Sequence, residues 1–352
     1  MLYRETGQFK TTYAADQAIF PILQDRIGLA LILAIGFIGL PLVGSPYLFA
    51  GLLIPALILA LAAIGLNILT GYCGQLSLGT GAFMAVGAYT AYNVVIRVPE
   101  VNLIVAFLLG GGMAALVGAL FGLPSLRIKG FYLAVATLAA QFFIDWVFIR
   151  IKWFTNNASN ASAPDPVIFG FAVDTPVKKY LLVLAVVAVM ALVAKNLVRG
   201  RIGRAWMAVR DMDIAAEIIG IPLLRTKLLA FAVSSFYCGV AGAMWGFLHL
   251  GAWEPLTFDI NRSFQILFMI IIGGLGSILG SFFGAAFISV LPILINRVPA
   301  AFGMPVSVAT ASHVESMIFG ALIVLFLIAE PNGLARLWQI GKEKLRLWPF
   351  PH

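Results

Sequence analysis

Charged residues are scarce in this sequence, and their scarcity limits the class of protein. They make up 11% of the 352 residues, whereas 61% are hydrophobic and the mean hydropathy is +1.00. A soluble domain is usually about half apolar and about a quarter charged. The chain instead has long uncharged runs separated by short charged ones, which is typical of transmembrane helices. This excludes a soluble globular domain and makes the bilayer the expected solvent.

Cysteines and catalytic motifs are also lacking. The two cysteines, Cys73 and Cys238, lie in or beside apolar runs and form no disulfide or metal framework. The sequence has no Gly-x-x-x-x-Gly-Lys-Ser/Thr loop for nucleotide phosphates, and no His-x-x-Glu-His or Gly-x-Ser-x-Gly arrangement. The net charge of +8 does not indicate nucleic acid, because the basic residues lie beside apolar spans. We therefore expect no metal, cofactor or nucleic acid on this chain.

The apolar runs predict about ten transmembrane helices. Eight runs have the length that a helix needs to cross hydrocarbon: 27–44, 48–70, 79–96, 102–123, 131–150, 180–198, 228–250 and 313–329. The stretch 262–297 is too long for one helix and is interrupted by small residues near its middle, so we expect a hairpin of two crossings there. The predicted fold is an all-α polytopic membrane bundle with broken glycine-rich helices.

The positive charges predict the orientation of the spans. Basic residues crowd one loop, which should therefore be cytoplasmic: Lys195, Arg199, Arg201, Arg204, Arg210, Arg225 and Lys227. With ten spans the basic C-terminal tail falls on the same side. The chain 1–352 is then a single transmembrane domain with a cytoplasmic N-terminal segment (1–26), a periplasmic loop (152–179), a cytoplasmic coupling loop (199–226) and a cytoplasmic tail (330–352).

The predicted cytoplasmic segment 203–220 has the pattern of one amphipathic helix that ends at a glycine before Pro222. Apolar residues repeat along one side, namely Ala205, Val209, Met212, Ala216 and Ile219, while Arg210, Asp213 and Glu217 share another. Such a helix can lie on lipid or dock in the groove of a partner. Helices on a lipid surface usually have a basic polar face, so the mixed charges here favour docking.

Several motifs resemble those of bacterial import permeases. Ala215, Ala216 and Gly220 match the Ala-Ala-x-x-x-Gly pattern in the cytoplasmic loop of ABC-importer permeases, where Ile214 replaces the leading Glu. The segments 69–79 (LTGYCGQLSLG), 125–134 (SLRIKGFYLA) and 271–280 (IIGGLGSILG) resemble the branched-chain amino acid permeases of the LivM type, over about residues 50–335.

This resemblance implies a heteromeric importer of the bacterial inner membrane. Its partners would be a sister permease of the LivH type, two ATPase subunits that bind ATP and Mg, and a periplasmic substrate-binding protein. The residues that would dock the ATPase are Arg210, Asp213, Ala215, Ala216, Glu217 and Gly220.

Two glycine-rich segments, 71–81 and 273–284, are candidates for the substrate pathway. Breaks of this kind expose backbone amides and carbonyls that can meet a polar substrate. The candidate pathway residues are Gln75, Ser77, Thr80, Gly273, Gly274 and Gly276. The alternative interpretation is close helix packing, since small residues let membrane helices approach each other.

Ionisable residues in the spans are few and lie toward predicted span ends: Asp145, Arg150, His249, His313 and Glu315. No carboxylate lies at a span centre, where an ion-coupled carrier usually has one. This absence weakens an ion-coupled mechanism, and the resemblance implies the permease subunit of an ATP-driven importer for branched-chain or related amino acids. An ion-coupled carrier or a channel for a small polar solute is the alternative, and an intramembrane enzyme ranks last.

Overall fold

The computed structural model describes residues 11–12, 23–125, 132–156, 161–162, 166–168, 170–301 and 332–347, with several positions between 314 and 330. Its first half is built from six helices. They are α1 (Leu23–Ala34, a π turn Ile35–Gly39, and Leu40–Val43), α2 (Pro46–Leu48, a π turn Phe49–Leu53, Ile54–Asn67, and a π turn Ile68–Tyr72), α3 (Thr80–Arg97), α4 (Leu103–Ser125), α5 (Tyr132–Arg150) and α6 (Pro176–Arg199).

The second half continues with α7 (Arg201–Asp211), α8 (Asp213–Ile218), α9 (Leu223–Met244, extended by a π turn Trp245–Leu250), a 3-10 turn (Pro255–Phe258), α10 (Ile260–Gly273), α11 (Ile278–Ala301) and α12 (Gly333–Leu347). Four two-residue strands form two antiparallel pairs. β1 (Ala161–Ser162) pairs with β4 (Ala252–Trp253), and β2 (Val167–Ile168) pairs with β3 (Phe171–Ala172).

The predicted polytopic helical bundle is confirmed. Eight helical stretches of the described residues are long and apolar enough to cross a membrane: Gln24–Val43, Pro46–Tyr72, Leu103–Leu123, Leu133–Arg150, Pro176–Arg199, Leu223–Leu250, Pro255–Gly273 and Ile278–Ile295. The hairpin expected in 262–297 is present, because α10 ends at Gly273 and α11 begins at Ile278.

The total of ten spans stays a prediction. The run 79–96 forms α3, which carries several polar residues and is not among the eight stretches. The run 313–329 is described only in part, and His313 and Glu315 lie outside the described residues. The N-terminal segment 1–26 is also largely outside them, and the orientation of both termini stays a prediction.

The core forms where α3, α4 and α9 cross at glycines. A β-carbon on Gly87 of α3 would overlap the backbone of Gly239 of α9, and one on Gly242 would overlap the backbone of Met84. A β-carbon on Gly110 of α4 would lie 2.6 Å from the Gly87 carbonyl oxygen. Membrane helices gain little from apolar burial against each other, so this backbone contact supplies the packing energy.

The predicted single helix over 203–220 is wrong, because it is two helices. Met212 separates α7 from α8 in an extended conformation, with φ −159° and ψ 96°. Asp211 and Asp213 flank this break, and aspartate favours helix ends over helix interiors. The predicted apolar face is therefore divided: Val209 and Ala216 are buried, whereas Met212 and Ile219 are exposed.

Candidate functional site

Asn67 joins the two glycine-rich segments. This residue of α2 is almost fully buried, and its Nδ2 donates hydrogen bonds to the Ser277 carbonyl (2.9 Å), the Ser281 hydroxyl (3.0 Å) and the Gly274 carbonyl (3.3 Å). Its Oδ1 accepts from the backbone N–H of Gly276 (2.8 Å). The amide thus pairs the Gly276 N–H and the Gly274 carbonyl of the turn between α10 and α11 in an apolar surrounding, whereas the Ser277 carbonyl also accepts from the Ser281 N–H (3.2 Å).

Arg210, near the end of α7, links the α7–α8 connection to the first glycine-rich segment. Its Nη1 donates to the Gly71 carbonyl oxygen (2.9 Å), and it would lie 3.5 Å from a β-carbon on Gly276. Its other contact is an ion pair with Asp211, at 2.8 Å. The guanidinium therefore bonds to the first glycine-rich turn and lies beside the second.

Close contact and backbone conformation together explain the glycines of these turns. A β-carbon on Gly71 would overlap the Asn67 side chain and the Gly276 amide, and one on Gly273 would overlap the Gly280 carbonyl. Gly74, Gly274 and Gly276 have positive φ values of 71°, 120° and 74°, which side chains other than glycine rarely adopt. The packing interpretation accounts for these residues without a substrate.

Of the candidate pathway residues of the first segment, Gln75 and Ser77 lie between α2 and α3, and Thr80 is the first residue of α3. Ser77 and Thr80 are buried within the chain, and Gln75 is partly exposed. The Ser77 hydroxyl accepts a 3.4 Å bond from the Gly79 N–H, whereas the buried Thr80 hydroxyl has no partner among the described residues. Gln75 is thus the one of these three that a solute can reach from outside the chain.

Cys73 lies at the start of the same segment and is buried. This burial raises the pKa of its thiol to about 12, although the charge of Lys227 acts in the opposite direction. A thiol of this kind stays protonated near neutral pH and is a weak nucleophile. Cys73 therefore behaves as a packing residue.

A second polar cluster surrounds Gln141 of α5. Its Oε1 accepts from the Ala82 N–H (2.7 Å) and the Ser263 hydroxyl (3.0 Å), and its Nε2 donates to the Phe258 carbonyl (2.9 Å) and to the Asp145 carboxylate (3.0 Å). The Ser263 hydroxyl also accepts from the N–H of Gly81 (2.7 Å). The first turn of α3 is thus capped by α5 and α10, and the starts of two helices are joined inside the bundle.

The candidate docking residues are divided between two environments. Ala216 is buried, Arg210 points to Gly71, and Asp213 lies 3.8 Å from the ammonium of Lys227. Ala215, Glu217 and Gly220 are exposed. Gly220 has φ +90°, and the next N–H, that of Ile221, bonds back to the Ala216 carbonyl (3.0 Å), so α8 ends in the predicted glycine cap.

The exposed residues of α8 and its two flanks are more apolar than the predicted set. Met212, Ile214, Ile218 and Ile219 are all more than 60% exposed. We call these four side chains the α8 tip. Three basic residues lie exposed around it in sequence, namely Arg201, Arg204 and Arg225.

Asn67 and Gln141 were missed by sequence reasoning. Both are uncharged residues inside predicted spans, whereas the predicted polar candidates are ionisable residues or belong to the glycine-rich segments. An amide in the middle of an apolar run would have been a sufficient signal, because such a side chain must find hydrogen-bond partners inside the bundle.

Comparison with known proteins identifies the family. The family model described as "Branched-chain amino acid transport system / permease component" matches residues 48–327. The high-affinity branched-chain amino acid transport permease LivM of Escherichia coli is 28% identical over 79% of this chain and 68% of its own length. A probable LivM of Methanocaldococcus jannaschii is 23% identical over 88% and 89%, and the fructose import permease FruG of Bifidobacterium longum is 26% identical over 82% of each.

No solved structure is significantly similar to the chain. The family match covers well over half of the sequence and includes both glycine-rich turns, the α7–α8 connection and the Gln141 cluster. The chain therefore belongs to the family of permease components of branched-chain amino acid transport systems.

Proposed function

We propose that this chain moves branched-chain or related amino acids across the inner membrane as one permease subunit of an ATP-driven importer. Its partners would be a sister permease, two ATPase subunits and a periplasmic substrate-binding protein. Family membership supports the transport role, and the LivM relatives support the amino acid substrate. ATP and Mg would bind to the ATPase subunits, since this chain has no phosphate-binding loop of its own.

The observation that carries this proposal is the α8 tip. Four large apolar side chains stand exposed on a short helix and its two flanks, in a connection rich in arginine. An exposed apolar patch rimmed by charge marks a contact surface, and a helix end suits a groove in a partner. The charges beside it are mixed, because the exposed Asp211, Glu217 and Arg225 are its neighbours in sequence, so we expect the rim of the partner's groove to have both signs.

The α8 tip is also connected to the rest of the molecule in a way that suits energy transfer. One residue before the break at Met212, Asp211 pairs with Arg210, which contacts Gly71. Gly71 and Gly276 both belong to turns that Asn67 holds together. A displacement of α8 by a closing ATPase pair would therefore act first on the two glycine-rich turns.

The experiment compares two aspartate substitutions at equally exposed apolar residues. Ile218 of the α8 tip and Phe171 of β3 are 80% and 78% exposed, so neither change should alter folding. The tagged importer would be extracted in mild detergent, tested for bound ATPase subunits, and assayed for ATP-dependent leucine uptake in proteoliposomes with the binding protein.

Ile218→Asp should lose the ATPase subunits and leucine uptake, while Phe171→Asp should retain the ATPase subunits. Retention of the ATPase by both variants would contradict docking through α8. Leucine uptake by the chain alone, without ATPase subunits, would support the ion-coupled carrier or channel instead. ATP-dependent uptake of fructose without uptake of leucine would keep the importer and change the substrate.

A further inference from the structure

A groove opens between α3, α4 and α5, away from the glycine-rich turns. It has a volume of about 560 Å³, which is within the usual range for a ligand site of about 300–1,000 Å³. Its walls are apolar along their length, with Val117 and Leu120 from α4 and Phe143 from α5. Tyr89 of α3 and Phe148 of α5 also line it, stacked at 4.4 Å.

The groove opens sideways, toward the position of lipid tails. Leu120 and Phe143 are both more than half exposed on its rim, and both belong to helices that are long and apolar enough to span a membrane. An acyl chain is therefore the ligand that reaches this groove without leaving the bilayer.

Arg97, Trp153 and Phe154 line the end of the groove where α3 and α5 finish. Arg97, the last residue of α3, donates to the Trp153 carbonyl (3.1 Å), and its guanidinium lies 3.6 Å from the centre of the Trp153 ring. Lys152 is adjacent to Trp153 and is exposed. The span of α5 ends at Arg150, so these groups lie at the depth of lipid headgroups, where tryptophan is also enriched.

These cations have no acidic partner within the described part of the chain. The ion pairs found there include neither Arg97 nor Lys152, and Glu100, three residues beyond Arg97, is not paired with them. An arginine held over an aromatic ring keeps its charge and its remaining N–H donors, which suit a phosphate group.

We propose that this groove binds an acyl chain of an anionic phospholipid whose phosphate contacts Arg97 and Lys152. The acyl chain positions the lipid but adds little selectivity, because its move from the bilayer into the groove exchanges one apolar environment for another. The headgroup contributes the selectivity. A cation near the surface attracts anionic lipid by about fivefold, so two give about thirtyfold over a neutral headgroup.

The test measures which lipids the full chain retains. Purified protein in nanodiscs with equal amounts of phosphatidylglycerol and phosphatidylethanolamine would be released into detergent, and the lipid still bound would be counted by native mass spectrometry. The charge variant is Arg97→Gln with Lys152→Gln. The matched control is Lys178→Gln with Lys179→Gln, which removes the same charge at the start of α6, away from the groove.

The wild-type chain should retain more phosphatidylglycerol than phosphatidylethanolamine. The ratio of the two lipids should fall about thirtyfold in the charge variant and stay unchanged in the control. Val117→Trp, which fills the groove, should reduce retention of both lipids. Glycerol 3-phosphate has a phosphate without acyl chains and should not displace the lipid.

Three results would overturn the proposal. The first is equal retention of the two lipids by the wild-type chain, and the second is an unchanged preference in the charge variant. The third is loss of the bound lipid when the sister permease is co-purified, because a protein surface would then be the occupant of the groove.

Discussion

Replacing Asn67 by aspartate tests whether one amide holds the two glycine-rich turns together. The change keeps the shape and the acceptor for the Gly276 N–H, but it puts an oxygen where Nδ2 faces the Ser277 carbonyl and the Ser281 hydroxyl. Larger residues are unsuitable, because Gly71 packs directly on the Asn67 side chain.

The magnitude follows from the bonds that are lost. The NH2 group has two hydrogens, so the three donor contacts count as two full bonds. Interhelical hydrogen bonds in membranes contribute about 0.6 kcal/mol on average and at most about 1.7 kcal/mol. The buried Gly274 carbonyl, which loses its donor, adds about 1–3 kcal/mol, whereas the Ser277 carbonyl keeps its bond from the Ser281 N–H. We expect a loss of about 2–4 kcal/mol, which at about 2–3 °C per kcal/mol lowers the melting temperature by roughly 5–10 °C.

The assay is a thermal melt of the detergent-purified chain, followed by tryptophan fluorescence and size-exclusion chromatography. Asn196→Asp is the matched control, because Asn196 is exposed on α6 and should shift the stability by less than about 0.5 kcal/mol. Ser281→Ala removes one acceptor and should cost less than Asn67→Asp, and the two changes together should cost less than their sum. A melting temperature of the Asn67→Asp variant equal to that of the wild type would refute the proposed link between the turns.

Three further predictions concern other parts of the same framework. Arg210 is one of the predicted docking residues, but its bond to Gly71 assigns it to coupling, so Arg210→Ala should keep the ATPase subunits bound and reduce uptake per ATP hydrolysed by about 5- to 30-fold, because this charge-assisted bond is worth about 1–2 kcal/mol at a partly exposed site. Arg210→Lys should restore part of the uptake, and loss of the ATPase would instead support the docking role. Gly87→Leu should prevent accumulation of folded protein, whereas Gly112→Leu, with nothing within 4 Å of its β-carbon position, should be tolerated; membrane yield and monodispersity measure both. Cys73 should resist maleimide at pH 7.5 and react after denaturation in SDS, because burial raises its pKa to about 12; rapid labelling of the native chain at Cys73 would show that the 73–79 segment is open.

The sequence was sufficient for elements that depend on local composition. Each of the eight spanning stretches is a long apolar run, and the hairpin at 273–278 follows from glycines that interrupt one. The glycine cap of α8 at Gly220 also follows from local sequence. These features need no knowledge of what lies across the bundle.

Contacts between distant residues could not be predicted in this way. Asn67 bonds to partners more than 200 positions away, and Gln141 to Ser263 at 122 positions. The break at Met212 was missed for another reason, since the helical period of apolar residues continues across it although the helix does not. Periodicity reports which residues share a face of a helix only if the helix is continuous.

The break at Met212 gives the α7–α8 connection two mechanical parts. α7 is fixed to the bundle, because the fully buried Trp206 donates to the Thr226 carbonyl (3.0 Å) and Gly203 packs on the backbone of Val198. α8 is held mainly by buried Ala216 and exposes most of its other side chains. A force on the α8 tip therefore acts across Met212 on the end of α7, where Arg210 contacts Gly71. Arg210 is itself one of the predicted docking residues, and its bond to Gly71 places that set beside the first predicted pathway turn.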